Sequence, residues 1–100
     1  MLINMADYGD MLMSRTTGRE DFLKTEAYLL QNLKDGEIIL DFKDVKVLTP
    51  SWADEFITGL KNKNRFKITY LNTDNPSIKA SLQTILEPIN IKKYEKQSLI

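Results

Sequence analysis

The chain has 100 residues, no histidine and no cysteine, and its 14 basic side chains balance 14 acidic ones. This length suits one domain, and the two missing residue types exclude disulfides, thiolate metal sites, histidine-based catalytic arrangements and the usual zinc ligands. A chain without net charge also lacks the field that concentrates nucleic acid or draws a protein to an anionic membrane. We therefore expect a non-enzymatic domain that holds no cofactor or metal and binds neither nucleic acid nor membrane.

Two features of the chain bear on its location. No apolar run approaches the roughly 20 residues of a membrane span, and the opening MLINMADYGD has acids and no early positive charge, unlike a secretory signal. We expect a cytoplasmic protein.

The first fifteen residues contain two short apolar runs. Residues 1–5 and 11–14 are separated by Asp7, Tyr8, Gly9 and Asp10. Apolar runs around a glycine-containing turn predict two strands that form a hairpin.

The next segment has the clearest helical pattern in the chain. Thr17 with Glu20 three residues later resembles a capping box, and Asp35-Gly36 is a stop signal. The apolar positions at helical spacing between them are Phe22, Leu23, Ala27, Leu30 and Leu33. This pattern predicts a helix whose apolar face lies against the core.

The run EIILDF at residues 37–42 is apolar on consecutive positions. Such continuity predicts a central strand that is covered on both faces. The following VKVL is either a strand extension or a short extended connection, and Pro50 requires an extended Thr49.

A second helix is predicted over residues 52–61. Trp52, Phe56 and Leu60 repeat every four residues, so this face is expected to point inward. Gly59 inside the helix indicates close packing against another element, since glycine lowers helix stability by about 1 kcal/mol relative to alanine.

The last third predicts a strand at residues 67–71 and a third helix. Asp74-Asn75-Pro76 supplies a cap and a proline at the first helical position, and Glu87-Pro88 supplies an end. The apolar stripe between them is Ile78, Leu82, Ile85 and Leu86. Residues 89–100 form either an edge strand or a loose tail.

This order of elements predicts one α/β domain over residues 1–100, with a core at about residues 16–86. We expect a small mixed sheet of four to five strands packed against about three helices.

The stretch TPSWADEF at the start of the second helix concentrates polar residues. Ser51 stands where an N-cap is expected, with Asp54 three residues later, which favours a structural role. A serine at a loop-to-helix junction is also a good phosphate acceptor, although Asp54 and Glu55 would repel the added charge unless they point away. The cap and the phosphoacceptor hypotheses are compatible.

Three other groups of residues are weaker candidates. Asp41, Asp44 and Asp54 follow a buried strand, which is where open α/β sheets bind ligands. Arg15 and Arg19 flank the predicted start of the first helix and can hold an anion there. Trp52 is either a core residue or an interface anchor, and its spacing does not separate the two.

The run LDFKDVKVLTPSWADEF resembles the signature of the STAS-like family of unknown function, which is related to the STAS fold of anti-sigma-factor antagonists. The resemblance extends over about residues 16–86 and implies a four- or five-stranded sheet with helices. In the antagonists, a similar strand leads to an Asp-Ser-Ser-Gly motif in which a partner kinase phosphorylates the second serine. That serine falls on Ser51, while Thr49, Pro50 and Trp52 replace the other three positions.

The leading functional hypothesis is therefore a non-catalytic interaction and regulatory module that phosphorylation at Ser51 switches. Its partner is expected to be a histidine-kinase-like ATPase that acts as a serine kinase, or an anti-sigma factor. The residues expected to bind the partner are Thr49, Pro50, Trp52, Asp54, Glu55 and Asp44. The alternative is a small-ligand or nucleotide sensor with an anion site near Arg15 and Arg19.

Overall fold

A computed structural model describes residues 1–86. Within them the strands are β1 (Leu2–Asn4), β2 (Met11–Leu12), β3 (Gly36–Asp41), β4 (Val47–Leu48) and β5 (Phe66–Leu71), and the helices are α1 (Arg15–Tyr28), α2 (residues 50–61) and α3 (Pro76–Leu86). The predicted α/β class is confirmed. The predicted helix end at Glu87-Pro88 and the strand or tail at residues 89–100 lie outside the described residues.

The strands form two parallel sheets in the described part of the chain, so the expected single mixed sheet is wrong in its arrangement. One sheet has the order β1-β3-β5 and the other pairs β2 with β4. Strand β3 lies in the centre of the larger sheet, as the run EIILDF predicted. Parallel neighbours require helical or long crossovers, and α1 and α2 supply them between β1, β3 and β5.

The predicted N-terminal hairpin is wrong. β1 pairs with β3, with Leu2 opposite Ile39, and β2 pairs with β4. A single 3₁₀ turn over Met5–Tyr8 joins β1 to β2, and Met5 in this turn is fully buried. The chain thus leaves the first sheet at Asn4 and buries Met5 in the core instead of turning back.

Strand β3 is buried more completely on one face than on the other. Ile38 and Leu40 are fully buried, whereas Ile39 is only half-buried and Glu37 is exposed. The prediction of a central strand is confirmed, but the prediction of full coverage on both faces is wrong. The main core thus lies on the Ile38 side, towards α2.

Helix α1 begins earlier and packs differently from the prediction. Ser14 is its N-cap, with Oγ accepting the Thr17 backbone N–H at 3.1 Å, so the capping box at Thr17 is wrong. Leu23 is 46% exposed, whereas Thr25 is buried and donates from Oγ1 to the Asp21 carbonyl. The face that packs is thus partly polar, because Thr25 also forms a hydrogen bond with the Tyr8 hydroxyl.

Helix α2 has the predicted inward face. The residues on this face are all fully buried: Trp52, Ala53, Phe56, Ile57 and Leu60. Its middle turn, Asp54–Thr58, is π-helical between α-helical Pro50–Ala53 and Gly59–Lys61. The rings of Trp52 and Phe56, four residues apart, stack with centroids 4.8 Å apart and planes 15° apart.

Helix α3 is attached to β4 by its serines. Asn75 accepts the Ser77 N–H at Oδ1 (2.7 Å), which confirms the predicted cap. The Leu48 carbonyl accepts from the hydroxyls of Ser77 and Ser81, and the Leu48 N–H donates back to Ser77. These bonds satisfy the free edge of β4. No helix within residues 1–86 is long and apolar enough to cross a membrane.

Two glycines allow α1 and α2 to approach closely. A Cβ on Gly18 would lie 2.7 Å from the Trp52 carbonyl oxygen, and a Cβ on Gly59 would lie 2.8 Å from the Phe22 ring. The close packing predicted for Gly59 is confirmed. Gly18 meets the backbone of the facing helix, whereas Gly59 meets only a side chain, so Gly18 is the more constrained position.

We predict that Gly18→Ala destabilises the fold by about 1–3 kcal/mol, the usual penalty for forcing extra atoms into a packed contact. Gly59→Ala is the matched control, because both changes gain the same helix propensity. It should lose less stability, since the Phe22 ring can rotate away. Urea unfolding of both variants measures the difference, and a Gly59→Ala protein less stable than Gly18→Ala would contradict it.

Candidate functional site

The start of α2 is capped by Thr49 and not by Ser51, which corrects the structural role expected for that serine. Thr49 is extended (φ −99°, ψ 155°), and its Oγ1 accepts the Trp52 N–H at 3.3 Å. The same hydroxyl donates to the Met13 carbonyl. The physical reason is Pro50, which favours the first helical position and therefore assigns the cap to the residue before it.

Ser51 consequently occupies the second position of the helix with its hydroxyl free of cap duty. It is half-buried, and the hydroxyl makes no hydrogen bond with any other residue of the described chain. Ser51 lines a surface cleft of about 310 Å³ between α2 and α3, together with Arg15, Pro50, Asp54, Thr84 and Ile85. The predicted phosphoacceptor thus shares a cleft with an arginine that is far from it in sequence.

Arg15 joins the start of α1 to α2. Its Nη1 lies 3.0 Å from Asp54 Oδ2 and 3.4 Å from Glu55 Oε1. Two carboxylates thus engage Arg15 through one nitrogen, and the anion site expected near Arg15 and Arg19 stays a prediction. The structure places Arg15 with the candidate partner-binding residues.

These contacts perturb the titration of both groups. Arg15, followed by the Thr58 hydroxyl that donates at 2.9 Å, holds the pKa of Asp54 below its ordinary value. Asp54, followed by Glu55, raises the pKa of Arg15. A lowered carboxyl pKa contributes stability above its unfolded-state value, and this contribution is lost as the pH falls through the folded-state value. The ion pair is therefore formed at neutral pH.

The predicted acidic cluster of Asp41, Asp44 and Asp54 does not form. Asp41 accepts from the Asn72 side chain (2.7 Å) and the Lys43 N–H (3.0 Å), and both hydrogen bonds lower its pKa. Asp44 is exposed and precedes β4, whereas Asp54 belongs to the helix that follows β4. Within residues 1–86 no three acidic residues come together as a potential metal site.

Trp52 is a core residue in this structure, which corrects its listing among the residues expected to bind a partner. Its side chain is fully buried against Phe56 and Tyr8. Burial raises the pKa of Asp21, and the nearby indole N–H of Trp52 partly offsets the rise. The indole N–H nevertheless forms no regular hydrogen bond with any described residue.

A second cleft, of about 280 Å³, lies between α1 and α2. Phe22 and Gly59 line it together with charged residues from both helices, among them Arg15, Arg19, Asp54 and Glu55. Arg19 therefore lies on the cleft, but an entering anion would also meet two carboxylates.

Comparison with known protein families identifies a family for this chain. Residues 26–77 match the family described as a STAS-like domain of unknown function (DUF4325). The chain belongs to this STAS-like family. Comparisons with curated proteins and with solved structures each returned no significant match. The matched part of the STAS-like domain runs from within α1 to the start of α3 and includes Ser51, Asp54 and Glu55.

Sequence reasoning did not connect Arg15 with Ser51. Part of the signal was present, because Ser51, Asp54 and Glu55 stand at i, i+3 and i+4, which places them on one side of a helix. The contact with Arg15 had no local signal, since Arg15 and Asp54 are 39 residues apart. The same is true of Asp21 and Trp52.

The cap assignment predicts unequal effects of two neighbouring substitutions. Thr49→Ala should destabilise the STAS-like domain by about 1–2 kcal/mol, because it removes a helix cap and the hydrogen bond to Met13. Ser51→Ala should change stability by less than about 0.5 kcal/mol. Chemical denaturation measures the free energy of unfolding of the two variants. A larger loss for Ser51→Ala than for Thr49→Ala would show that Ser51 is the helix cap.

Asp21→Asn should stabilise the protein at neutral pH. A carboxyl with a raised folded-state pKa favours folding below its unfolded-state pKa, and this contribution is lost as the pH rises. At pH 7 the ionised group therefore lowers the stability of the fold. Its replacement should raise Tm and increase the free energy of unfolding by less than about 1 kcal/mol, since the carboxylate is partly solvated.

The pH dependence supplies the check on this effect. Thermal unfolding should show the Asp21→Asn gain shrinking towards pH 3, where aspartate is itself protonated. Asp35→Asn, in an exposed loop, is the control and should give no comparable gain. A gain that is equally large at pH 3 would attribute the effect to something other than ionisation.

Proposed function

We propose that this STAS-like domain is a non-catalytic protein-interaction module that is controlled by phosphorylation of Ser51. The observation that supports this most directly is the position of the serine. Ser51 is half-buried, lines a surface cleft and makes no side-chain hydrogen bond to the described residues, and it belongs to a helix whose opposite face is fully buried. Modification at this position changes the surface without removing a contact that maintains the fold.

The docking surface comprises Arg15, Pro50, Ser51, Asp54 and Glu55. The inward face of α2 is buried in the core, so the outward residues of this helix are held in fixed relative positions. A rigid surface loses little conformational entropy on binding, which favours affinity. Trp52 is not part of this surface, and Asp44 with the loop of residues 43–46 lies at the other end of β4 and forms a separate, secondary contact.

The partner we propose is a histidine-kinase-like ATPase that acts as a serine kinase, or an anti-sigma factor. The kinase transfers the terminal phosphoryl group of a nucleoside triphosphate to Ser51 Oγ, which loses its proton, and a nucleoside diphosphate leaves. The phosphate adds a charge of about −1.5 to −2 at pH 7. If this charge weakens binding by about 3 kcal/mol, the affinity falls about a hundredfold.

The alternative of a ligand or nucleotide sensor receives less support from the geometry. The cleft between α1 and α2 is of suitable size and includes Arg19. Asp54 and Glu55 on the same cleft oppose an anionic ligand, however, and they already engage Arg15. We therefore prefer the interaction module.

The test is an affinity capture from the native host with wild type, Ser51→Ala and Ser51→Glu as baits. Wild type and Ser51→Ala should retain an ATPase or sigma-regulatory protein that Ser51→Glu loses. Mass spectrometry should find phosphate on Ser51 after incubation with the captured ATPase and nucleoside triphosphate. Asn32→Glu, which adds the same charge on an exposed loop outside the docking surface, should behave as wild type.

Two results would contradict this function. One is an unmodified Ser51 in the presence of every captured ATPase. The other is equal capture by wild type and Ser51→Glu, which would show that charge at this position does not control binding.

A further inference from the structure

Arg15 engages its two carboxylates with only part of its guanidinium group. Both ion pairs use the same nitrogen, Nη1, at 3.0 Å from Asp54 and 3.4 Å from Glu55. Guanidinium carries five N–H donors in a planar fork. In the described part of the chain, Nη2 and Nε of Arg15 make no hydrogen bond, so the face of the fork suited to a bidentate anion is free.

Ser51 lies within reach of this free face. Ser51, Arg15 and Asp54 line the same 310 Å³ cleft. Residues three and four apart on a helix have Cβ atoms about 5–6 Å apart, so a group on Ser51 sits about one helical turn from the carboxylates that hold Arg15. An arginine side chain spans that distance by rotation about its own bonds.

We propose that Arg15 is the residue that binds phosphate on Ser51, and that it releases Asp54 and Glu55 when it does so. This inference rests on the proposed function for the identity of the modification, since it assigns the phosphoryl group from a nucleoside triphosphate to Ser51 Oγ. It adds that a residue of the same chain, Arg15, binds the phosphate and that the docking surface changes as Asp54 and Glu55 are released.

Charge density favours the exchange. The unmodified cluster carries one cation and two carboxylates, a formal charge of −1. A phosphate adds about −1.5 to −2 and three strong acceptor oxygens, and arginine binds phosphate bidentately. A single nitrogen shared between two carboxylates at 3.0 and 3.4 Å is the weaker arrangement. The repulsion expected between the phosphate and Asp54 is thereby offset by Arg15.

The exchange alters the docking surface in a specific way. Asp54 keeps the Thr58 hydroxyl as a hydrogen-bond donor, but both carboxylates lose the arginine that paired with them and remain as unpaired anions. The region therefore changes from a locally paired surface to one with two exposed carboxylates and a phosphate–arginine pair. A partner that matches the paired state would meet unpaired negative charge after phosphorylation.

The experiment uses the full chain with phosphoserine installed at position 51 during synthesis, so that no kinase is needed. Phosphorus NMR follows the second pKa of the phosphate. It should be lower in the wild-type background than in Arg15→Gln by about 0.5–1 unit, less than the 1–3 units typical of a carboxylate beside an arginine because this pair is exposed. Carbon NMR should show the pKa of Asp54 rising on phosphorylation.

Two variants keep the result interpretable. Arg15→Lys preserves the charge without the bidentate fork and should lower the phosphate pKa by an intermediate amount. Arg19→Gln removes one arginine from the same helix without touching the Ser51 cleft and should leave the phosphate pKa as in wild type. Equal phosphate pKa values in wild type and Arg15→Gln at low ionic strength would overturn the proposal.

Failure of this proposal is distinguishable from failure of the proposed function. If the phosphate pKa depends on Arg15 but phosphate does not affect partner binding, the contact between Arg15 and the phosphate stands and the proposed switch in partner binding is wrong. If phosphate releases the partner but its pKa does not depend on Arg15, the switch stands and the Arg15 contact is wrong.

Discussion

The close packing of α2 against α1 is the constraint on which the rest of this structure depends. Gly18 lets the backbone of Trp52 approach α1 so closely that no Cβ fits between them. This approach buries the stacked rings of Trp52 and Phe56 and fixes the rotation of α2 about its axis. The outward face of α2 is then determined, and the same approach brings Arg15 within ion-pair distance of Asp54. Core packing and the candidate surface thus have one origin.

The second constraint is the junction between β4 and α2, which holds Ser51 in place. Serines of α3 bind the Leu48 backbone, and Thr49 binds the Met13 carbonyl while it caps the helix. Pro50 then enters the helix with a fixed φ angle. Leu48 and Thr49 are thus held by hydrogen bonds, and Pro50 is held by its ring. The serine itself has no such role, and for this reason its hydroxyl is available for chemistry.

Local patterns predicted β3, α2 and α3 because each is defined by residues within one element: a continuous apolar run, a repeat of four and a capped apolar stripe. The two N-terminal strands form where they were predicted, but their pairing as a hairpin was wrong, because strand patterns do not specify partners and burial of Met5 depends on distant elements. The prediction for α1 was wrong about which residues face the core. Thr25 is buried because its hydroxyl forms a hydrogen bond with Tyr8, and no periodicity in the sequence reveals that contact. The cap at Thr49 was readable, since proline at the first helical position implies it. The pairing of Arg15 with Asp54 was not, because it follows from the approach of two helices.

One departure of this chain from the motif of the anti-sigma-factor antagonists, at Trp52, falls on the inner side of the helix start. Their serine motif ends in glycine, and here Trp52 stands in that position and is fully buried. Glycine adds backbone freedom at such a site, whereas a buried tryptophan removes it. The departure therefore leaves the outward surface of Ser51 open and makes its support more rigid. The phosphorylation that we propose for Ser51 therefore acts through charge, because a rigid support leaves little backbone to reshape, and Arg15 is the cation on that cleft among the described residues.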